Sequence, residues 1–396
     1  MIGIRYFPEE LNVENKKIVL RLDFNVPLKD KIIQDHTRIK QAIPFLKKLV
    51  EKKAKIIIVA HLGRPNGLKN KDLSLIPIYK YLKKNIKTNV FFFMGDIDSN
   101  TKEKSSYLKS GEILLLENIR FYDGEEKNED IFAKRLGCLG EIYINDAFSC
   151  SHRKQASIHK ITKFIKNCYA GPLLKKELEA INLIIKEKKR PVTCIIGGSK
   201  ISTKINVINN LIKNVNNIVI VGAMANNFLL HQGVNIGKSL VEENTNEIID
   251  KIYLEARNNK CDIYIPEDFN TAKNLKGPAE YKKKDDIKKE DIILDIGSQT
   301  IKRIERIIDN SNTVLWNGPA GYFENKNFAN GTNSIAKKIS NNTISKSLIS
   351  ILGGGDTVSA INKFENKLIF THLSTAGGAF LEYLEGKDLP GLSVLK

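Results

Sequence analysis

The sequence predicts an α/β protein with two doubly wound parallel-sheet domains of the Rossmann-like type, joined by a hinge helix. Short apolar runs alternate with longer amphipathic stretches along the chain, beginning with "KIVLRLDF", "TRIKQAIPFLKKLVEKK" and "AKIIIVAHL". This alternation is typical of repeated βαβ units. Most of the apolar runs lack a polar alternate face, which favours parallel strands that helices cover on both sides. Two such sheets would accommodate the number of strands that the sequence predicts.

The predicted strands are spread over the whole chain. They are "KIVLRLDF", "AKIIIVAHL", "EILLLEN", "EIYINDAF", "VTCIIGG", "NIVIVG", "DIYIPEDF", "TVLWNG" and "SLISILGGG". Between the fourth and the fifth, Gly171 and Pro172 precede a helical period and Pro191 follows it, which predicts a connecting helix. The predicted boundaries are residues 1–170 for the first domain, 171–190 for the linker helix and 191–379 for the second domain.

The composition favours a globular cytoplasmic protein. A length of 396 residues with 42% hydrophobic content is enough for two or three ordinary domains. The N-terminal stretch "MIGIRYFPEELNVENKK" lacks the apolar region of a signal peptide, and no apolar run approaches the roughly 18 residues that span a bilayer. The five cysteines are odd in number, widely spaced and free of CxxC pairs, which argues against a disulfide framework and a zinc site.

The net charge of +18 raises one alternative, a basic protein that binds nucleic acid. Only 11 of the 63 basic residues are Arg, and the abundance of Lys, Asn and Ile is what low-GC coding bias produces without a nucleic-acid partner. Aromatic residues are not interleaved with basic patches, and no nucleic-acid-reading motif is present. Most of the lysines are therefore expected on solvated helix faces.

Polar residues in the first half gather directly after the predicted strands, where doubly wound sheets bind their ligands. These residues are Asp23, Asn25, His61, Arg64, Arg120, His152 and Arg153, with Arg38 at the start of a helix. Each taken alone has an ordinary alternative, such as a turn cap, a core histidine or a surface ion pair. Cations that converge at several strand ends repel one another unless an anion lies among them. The first half is therefore predicted to bind a small, multiply charged anion.

The second half combines glycines with lysines after its strands. In "IIGGSKISTKI", Lys200 and Lys204 are four residues apart and would share one face of a helix that began near Ser199. An ordinary strand-to-helix turn with surface lysines is the alternative. Further polar and glycine residues at strand ends or helix starts are Asn317, Gly318 and Glu324, then Gly353, Gly354, Gly355, Asp356 and Thr357, and finally Gly377 and Gly378. Repeated glycine-rich helix starts predict phosphate binding.

Two known nucleotide motifs do not apply to this chain. The stretch "GVNIGKSL" has Gln232 where a Walker A motif requires its first glycine. Val358 occupies the last position that a GxGxxG fingerprint starting at Gly353 would need. The phosphate site is therefore predicted to belong to another class.

Eight motifs in order resemble those of the phosphoglycerate kinase family over essentially the whole chain. They are "RLDFNVPL", "HLGRP", "ENIRF", "SHRKQAS", "GGSKISTK", "WNGPAGYFE", "GGGDT" and "STAGGAFLEYLEG". The resemblance implies reversible phosphoryl transfer from 1,3-bisphosphoglycerate to ADP, giving 3-phosphoglycerate and ATP, with Mg²⁺. It also implies a monomer whose two domains close on the substrates, and C-terminal residues 380–396 that pack back on the first domain.

The resemblance also implies roles for individual residues. The phosphoglycerate-binding positions are Asp23, Asn25, Arg38, His61, Arg64, Arg120 and Arg153. The nucleotide-binding positions are Lys204, Asn317, Glu324, Gly353, Gly354, Gly355, Asp356 and Thr357, with Asp356 also the Mg²⁺ ligand. The catalytic positions are Arg38, Lys200 and Gly377, and Arg38 and Lys200 are expected to meet at the transferred phosphoryl group on domain closure. His61 is expected to contact substrate without transferring a proton, because the attacking group is already ionised.

Some positions depart from the family's usual pattern. Val221 and Ala223 stand where glycines are common beside the nucleotide, and Ala376 replaces a glycine of the last motif. Cys150 and Ser151 stand where other small residues are usual. A second alternative, an inactive scaffold homologue, would be expected to lose Arg38, Lys200 or Asp356, and all three are present. The departures from the family pattern exchange one small residue for another, and they are expected to affect nucleotide selectivity more than activity.

Overall fold

The computed structural model describes residues 3–186, 189–364 and 367–396. The chain divides into two compact units: the first comprises Met1–Leu178 and Asp388–Lys396, and the second comprises Glu179–Lys387. Parts of the predicted domains and linker lie outside the described residues, namely Met1, Ile2, Glu187, Lys188, Glu365 and Asn366.

The first unit contains a parallel sheet of six strands. Its strands are β1 (Lys17–Arg21), β4 (Lys55–Val59), β5 (Val90–Phe93), β6 (Ile113–Leu116), β7 (Ile142–Asn145) and β8 (Asn167–Ala170), and a separate antiparallel hairpin pairs β2 (Leu28–Lys29) with β3 (Ile32–Ile33). The sheet order is β5-β6-β4-β1-β7-β8. Residues 113–116 and 142–145 are entirely buried, as expected for apolar strands covered on both faces.

Helices surround this sheet. They are α1 (Thr37–Glu51), α2 (Ile76–Asn85), α3 (Ser99–Ser106), α4 (Asp123–Glu126), α5 (Asp130–Gly137) and, near the end of the chain, α14 (Pro390–Ser393), and α6 (Pro172–Ile185) begins in this unit and ends in the second. The apolar side of α1 packs into the core through residues such as Ile39, Leu46 and Leu49. Because β1 lies between β4 and β7, the carboxyl ends of these three strands are adjacent in the middle of the sheet. A ligand site is expected at this position in a doubly wound sheet.

The second unit contains its own six-stranded parallel sheet and a smaller antiparallel one. The parallel strands are β9 (Val192–Ile196), β10 (Asn217–Ile220), β11 (Asp262–Tyr264), β15 (Thr313–Asn317), β16 (Ile349–Gly353) and β17 (His372–Leu373), in the order β11-β10-β9-β15-β16-β17. The antiparallel strands are β12 (Asp268–Ala272), β13 (Glu280–Lys283) and β14 (Ile292–Ile296), in the order β13-β12-β14.

The helices of the second unit follow the same pattern. They are α7 (Ile205–Ile212), α8 (Ala225–His231), α9 (Asn246–Asn258), α10 (Ser298–Asp309), α11 (Asn330–Ser345), α12 (Gly355–Ile361) and α13 (Gly378–Leu384). Here β9 lies between β10 and β15, and the Gly197 N–H donates to the carbonyl oxygen of Asn317 at 2.8 Å just beyond the strand ends. Within the described ranges, no helix has the length and apolar character needed to cross a bilayer.

The predicted fold class is confirmed, since both large sheets are parallel and carry helices. Each of the nine predicted runs contains a strand of one of these sheets. The sequence prediction did not include β5, β8 or β17, nor the three-stranded antiparallel sheet. Its strands β12 and β13 carry mixed polar residues, such as the largely exposed "EYKK" of β13, and only β14 with "IILDI" has an apolar run.

The compact units differ from the predicted boundaries at two points. The division falls inside α6, and residues 380–387 belong to the second unit. The second difference arises because α13 packs on α7, where the Asn210 side-chain amide donates to the Leu384 carbonyl at 2.6 Å. Only the last residues return to the first unit, where the Gly391 N–H donates to the Ser151 carbonyl at 2.8 Å. The functional domain boundaries stay a prediction.

Candidate functional site

The loop after β1 is held by the start of α1. The Asp23 carboxylate accepts hydrogen bonds from the Asn25 N–H at 2.9 Å and from the Ser149 hydroxyl. Arg38 Nη1 lies 2.8 Å from Asp23 Oδ2 and donates to the Asn25 carbonyl at 2.8 Å. Arg38 is the second residue of α1, so the predicted helix start beside it is where the sequence indicated. These contacts fix the direction of the Arg38 guanidinium.

The loop after β4 is tied to its neighbours through Gly63. Its N–H donates to Asn25 Oδ1 at 2.8 Å, and its carbonyl accepts from Arg120 Nη1 at 2.8 Å. Gly63 has φ of +64°, and a Cβ there would lie 2.7 Å from Leu73 Cδ2, so a larger residue would strain the backbone and displace Leu73. Arg120 is almost fully buried, and that burial lowers its pKa. The junction therefore brings Asn25 and Arg120 to the same side of the sheet.

His61 lies at the centre of a group of arginines. Only 3% of its surface is exposed, and its Nδ1 lies 3.2 Å from Arg21 Nη2. Burial lowers the pKa of His61 well below its usual value, and the positive charges of four arginines lower it further; these are Arg21, Arg120, Arg38 and Arg153. His61 is therefore neutral at pH 7. We call Arg21, Arg38, His61, Arg120 and Arg153 the cationic basin.

Two other predicted residues occupy different environments. Arg153 is half-buried, and its Nε donates to His152 Nε2 at 3.2 Å. Arg64 is exposed in the loop after β4, and no hydrogen bond or ion pair joins it to another residue in the part of the chain that the structure describes. The structure thus brings Asp23, Asn25 and the cationic basin together, whereas it leaves Arg64 at the surface.

Sequence reasoning missed Arg21, which is the most buried member of the basin. Arg21 is the last residue of β1 and has no exposed surface. The available signal was a lone arginine within the apolar run "KIVLRLDF", because a charge in such a position requires partners. Ser149 was missed as well, since a serine in a polar loop carries no distinct pattern.

In the second unit, a second cluster forms where β15 and β16 end. The Lys204 ammonium donates to Asn317 Oδ1, and Asn317 Nδ2 donates to the Gly353 carbonyl at 2.8 Å. Burial lowers the pKa of Lys204, while Asp356 and Glu385 act in the opposite direction. The Gly318 N–H donates to the Thr357 hydroxyl at 2.8 Å. We call Lys204, Asn317 and residues 353–357 the glycine cluster.

The three successive glycines of this cluster have different surroundings. A Cβ at Gly353 would lie 2.8 Å from the Phe380 ring, so this position is closed by packing. Gly354 has φ of +100° and precedes the first residue of α12. Gly355 faces open space, because no atom lies within 4 Å of a Cβ built there. The start of α12 therefore presents backbone N–H groups with room for a ligand.

One expectation about this region was wrong. Lys200 and Lys204 do not share a helix face, because α7 begins only at Ile205, residues 199–201 are irregular and residues 202–204 form a turn. Contacts of Ser202 and Thr203 explain why α7 does not begin earlier. Both the N–H and the hydroxyl of Ser202 bond to the Glu242 carboxylate, and the Thr203 hydroxyl donates to the Lys200 carbonyl at 2.9 Å. Such local bonds compete with helix formation. The Lys200 side chain is exposed, and the Lys204 side chain joins the glycine cluster.

A cleft of about 370 Å³ opens beside the glycine cluster. Both exposed carboxylates that the sequence singled out, Glu324 and Asp356, line it. Its walls are apolar or small residues, including Ala223, Phe269, Leu294 and Pro319. A cleft with an apolar wall and a few polar groups suits an organic ligand with a charged end.

The remaining predicted residue, Gly377, precedes the first residue of α13. It has φ of +58°, and no atom lies within 4 Å of a Cβ built there. An open, left-handed glycine at a helix start is a backbone position that a ligand can approach closely. No described hydrogen bond joins Gly377 to Lys200 or to the glycine cluster.

Comparisons with known proteins agree with one another. A family model described as phosphoglycerate kinase matches residues 9–387. A phosphoglycerate kinase of Wolbachia sp. subsp. Drosophila simulans (strain wRi) is 44% identical over 390 residues, which cover 98% of each chain. One of Buchnera aphidicola subsp. Schizaphis graminum (strain Sg) is 44% identical over 393 residues, covering 98% of this chain and 97% of that protein.

Solved structures give the same result. The phosphoglycerate kinase from Coxiella burnetii superposes with a TM-score of 0.88 and 36% identity, over 98% of this chain and 97% of that chain. The one from Pyrococcus horikoshii OT3 superposes with a TM-score of 0.82 and 28% identity, over 98% of each chain. The similarity therefore extends over both units.

Proposed function

The chain belongs to the phosphoglycerate kinase family, and from that premise we propose that the cationic basin holds the phosphoglycerate and that the cleft with the glycine cluster holds ADP or ATP. The protein is a transferase of glycolysis that passes a phosphoryl group between 1,3-bisphosphoglycerate and ADP. The nucleic-acid-binding and scaffold alternatives have no support from the comparisons.

The observation that carries the proposal is the convergence of four guanidinium groups around a neutral histidine. Their mutual repulsion is relieved by Asp23 at Arg38 and by Glu126, which lies 3.4 Å from Arg120. Together with the buried Glu125, which bonds to Arg21 through Ser157, these carboxylates still leave the four guanidinium groups with an excess of positive charge. A phosphoglycerate supplies a phosphate and a carboxylate, and the planar guanidinium binds both groups well.

The nucleotide half of the proposal rests on backbone and amide groups. The phosphates of ADP or ATP would bind at the start of α12, next to Lys204 and Asn317. The base and ribose would lie in the cleft against its apolar wall. Ala223, which stands where the family commonly has glycine, lines this cleft and narrows it by one methyl group.

The residues present fit Mg²⁺ bound through the nucleotide. Asp356 is exposed, lines the cleft and has no ion-pair partner among the described residues, so one carboxylate is available at the start of α12. Mg²⁺ in kinase sites takes one or two carboxylates together with substrate phosphates and water. Asp356 would hold the ion, which neutralises charge on the phosphates.

The chemistry requires no general base. The group that attacks is a carboxylate or a nucleotide phosphate, both already ionised at pH 7, so catalysis consists of positioning and charge stabilisation. We assign Arg38 and Lys200 to the oxygens of the transferred phosphoryl group, and the open backbone of Gly377 to the same role. His61 is neutral and donates a hydrogen bond to the substrate. It does not act as a proton shuttle.

We further propose that the protein works in the cytoplasm as a monomer. The proposal rests on the family and on the sequence features described above. Size-exclusion chromatography with light scattering tests the monomer, since a dimer would double the mass.

A steady-state assay of the purified protein tests the function. With 3-phosphoglycerate, ATP and Mg²⁺, we expect formation of an acyl phosphate that hydroxylamine traps as the hydroxamate, and omission of any one component should abolish it. The absence of turnover with all three components present would contradict the proposed function.

A further inference from the structure

A chain of buried polar groups runs beneath the cationic basin. It joins Glu125 of α4 to Ser157, then to Arg21 of β1, and finally to His61 after β4. Glu125, Ser157 and Arg21 have no exposed surface, and His61 has 3%. Burying a carboxylate and a guanidinium is unfavourable unless both are fully hydrogen-bonded. The arrangement therefore needs a physical explanation.

Between Arg21 and Glu125, the hydrogen bonds all run toward the carboxylate. Arg21 Nε donates to the Ser157 hydroxyl at 3.0 Å, and that hydroxyl donates to Glu125 Oε1 at 2.6 Å. The Ser157 N–H donates to the other carboxylate oxygen at 2.7 Å. Because arginine has only donors, the serine must accept from it and must pass its own proton toward the carboxylate. Glu125 is the acceptor at which the chain ends.

The other end of Arg21 determines the state of His61. Nη1 donates to the Leu22 carbonyl, and Nη2 lies 3.2 Å from His61 Nδ1. A guanidinium nitrogen can only donate, so Nδ1 must carry a lone pair. An Nδ1–H, whether in the other neutral tautomer or in the imidazolium, would point one donor at another. The Cys150 thiol, whose Sγ lies 3.8 Å from Nδ1, is a weaker partner than the guanidinium, so the geometry favours a neutral ring with its proton on Nε2.

We propose that Glu125 and Ser157 are positioning residues for substrate binding, which hold Arg21 so that His61 is kept as the Nε2–H tautomer and donates to the anionic substrate. This inference rests on the assignment of the cationic basin to phosphoglycerate. Neither Glu125 nor Ser157 touches the substrate in this scheme. They act through Arg21, whose orientation sets the proton position on the imidazole.

A purely structural role for Glu125 predicts something different. A buried carboxylate that only anchored α4 would change stability when altered, with no effect on the imidazole. The positioning role predicts that His61 changes its protonation pattern even in the free protein. Measuring the protonation of the two His61 ring nitrogens therefore distinguishes the two roles.

The first unit contains a matched control. The Ser74 hydroxyl donates to Glu117 Oε2 at 2.6 Å, the same distance as in the Ser157–Glu125 pair, and both residues are largely buried. No arginine donates to Ser74 among the described contacts. Ser74→Ala and Ser157→Ala therefore remove equivalent hydrogen bonds, and only the second lies on the path to His61.

The experiment uses the full-length protein with 15N-labelled histidine. The six histidine rings are resolved by long-range 1H–15N correlation spectra, and His61 is assigned with the His61→Gln variant. In the parent protein and in Ser74→Ala, His61 should show a protonated Nε2 and an unprotonated Nδ1. In Ser157→Ala and Glu125→Gln, the two nitrogens should move toward exchange-averaged shifts. Ser157→Thr, which keeps the hydroxyl, should restore the parent pattern.

Kinetics provide the second readout. In Ser157→Ala and Glu125→Gln, we expect KM for 3-phosphoglycerate to rise roughly tenfold, the size typical of one hydrogen bond to a charged group. KM for ATP should stay within about twofold of the parent value, since no bond to the nucleotide is changed.

The outcomes are distinguishable from failure of the proposed function. An unchanged His61 spectrum in both Ser157→Ala and Glu125→Gln, with folded protein, would overturn the positioning role whatever the kinetics show. A changed spectrum with an unchanged KM for 3-phosphoglycerate would mean that His61 does not bind the substrate, and would overturn the inference at that step. Inability of the parent protein to turn over 3-phosphoglycerate would contradict the proposed function, while the tautomer measurement could still be made.

Discussion

The proposed anion sites of the two units differ in the groups that they offer to a ligand. The cationic basin of the first unit uses buried side-chain charges, such as Arg21 and Arg120, which are held by carbonyl and carboxylate groups. The glycine cluster of the second unit uses open backbone, one half-buried lysine and one exposed carboxylate. The proposed ligands account for the difference: a small acid needs charge that is fixed in space, whereas a large nucleotide needs room and close approach of the backbone.

This contrast predicts that variants of the basin and variants of the glycine cluster have separate kinetic signatures. Changes in the basin should act on the phosphoglycerate, and changes in the cluster should act on the nucleotide. Residues assigned to the transferred phosphoryl group should affect turnover with both substrates.

The largest effect is expected for Arg38→Ala. Loss of a guanidinium at a transferring phosphoryl group lowers kcat by about 10³-fold or more in comparable sites. Arg38→Lys should recover little of this, because lysine cannot reproduce the two-pronged contact. The measurement is kcat with saturating substrates, and Arg135→Ala on the exposed face of α5 is the control. If kcat of Arg38→Ala falls by less than tenfold, Arg38 does not stabilise the transferred phosphoryl group.

Lys200→Ala should have the next largest effect. Removing one cation that acts chiefly in the transition state lowers kcat by about 10²- to 10³-fold and leaves both KM values within a few-fold. Lys213→Ala, an exposed lysine that follows α7, should behave as the parent. A rise in KM for ATP with unchanged kcat would instead assign Lys200 to nucleotide binding in the ground state.

Asp356→Asn should change the use of Mg²⁺ and nucleotide and leave the binding of 3-phosphoglycerate unchanged. Loss of one carboxylate ligand is expected to raise the Mg²⁺ concentration needed for half-maximal activity by roughly tenfold, in the range seen when residues that support a metal site are changed. KM for 3-phosphoglycerate should not change. Asp285→Asn, on an exposed turn, is the control. Parent-like activity of Asp356→Asn at low Mg²⁺ would contradict the metal assignment.

The two units also differ in how much the sequence could predict. Apolar runs such as "KIIIV" and "VTCII" identified the central strands, because a strand buried on both faces must be apolar throughout. The antiparallel sheet was not predicted, since β13 is largely exposed and gains its structure from pairing with β12. Tertiary context outweighs local pattern in such strands.

The candidate site shows the same limit. The glycines before α12 could be predicted, because a left-handed residue such as Gly354 leaves a direct trace in the sequence. Arg21 could not be assigned, because its role depends on Ser157 and His61, which are distant in sequence and adjacent only in the fold. A helix beginning near Ser199 was one of two possibilities from the sequence, and the contact of Ser202 with Glu242 that opposes it is also distant in sequence.

The smallest expected effect concerns a feature that the units share. Each contains a buried aspartate with a pKa raised to about 7, Asp146 in the first and Asp295 in the second; burial is the main cause, opposed by backbone N–H donors. A folded-state pKa above the unfolded value of 3.8 means that the native protein binds the extra proton between these pH values. Stability from this proton is complete below pH 4 and is lost as pH rises to about 7.

Asp295→Asn tests this by a stability measurement, because Asp295 also lines the cleft proposed for the nucleotide and its effect on activity would not be specific. The free energy of unfolding of the parent protein should decrease as pH rises from 4 to 7. In Asp295→Asn this decrease should be smaller by about 1.4 kcal/mol per pH unit, which is the contribution of one proton. Trp316 is the single tryptophan, is fully buried in the second unit, and reports urea unfolding by fluorescence. The exposed Asp286→Asn should keep the parent slope. If Asp295→Asn keeps the parent slope, the Asp295 carboxylate is ionised in the native protein at pH 5, because its backbone N–H donors outweigh the effect of burial. The second unit would then stabilise a buried carboxylate through N–H groups alone. The glycine cluster is proposed to bind a phosphate in the same way.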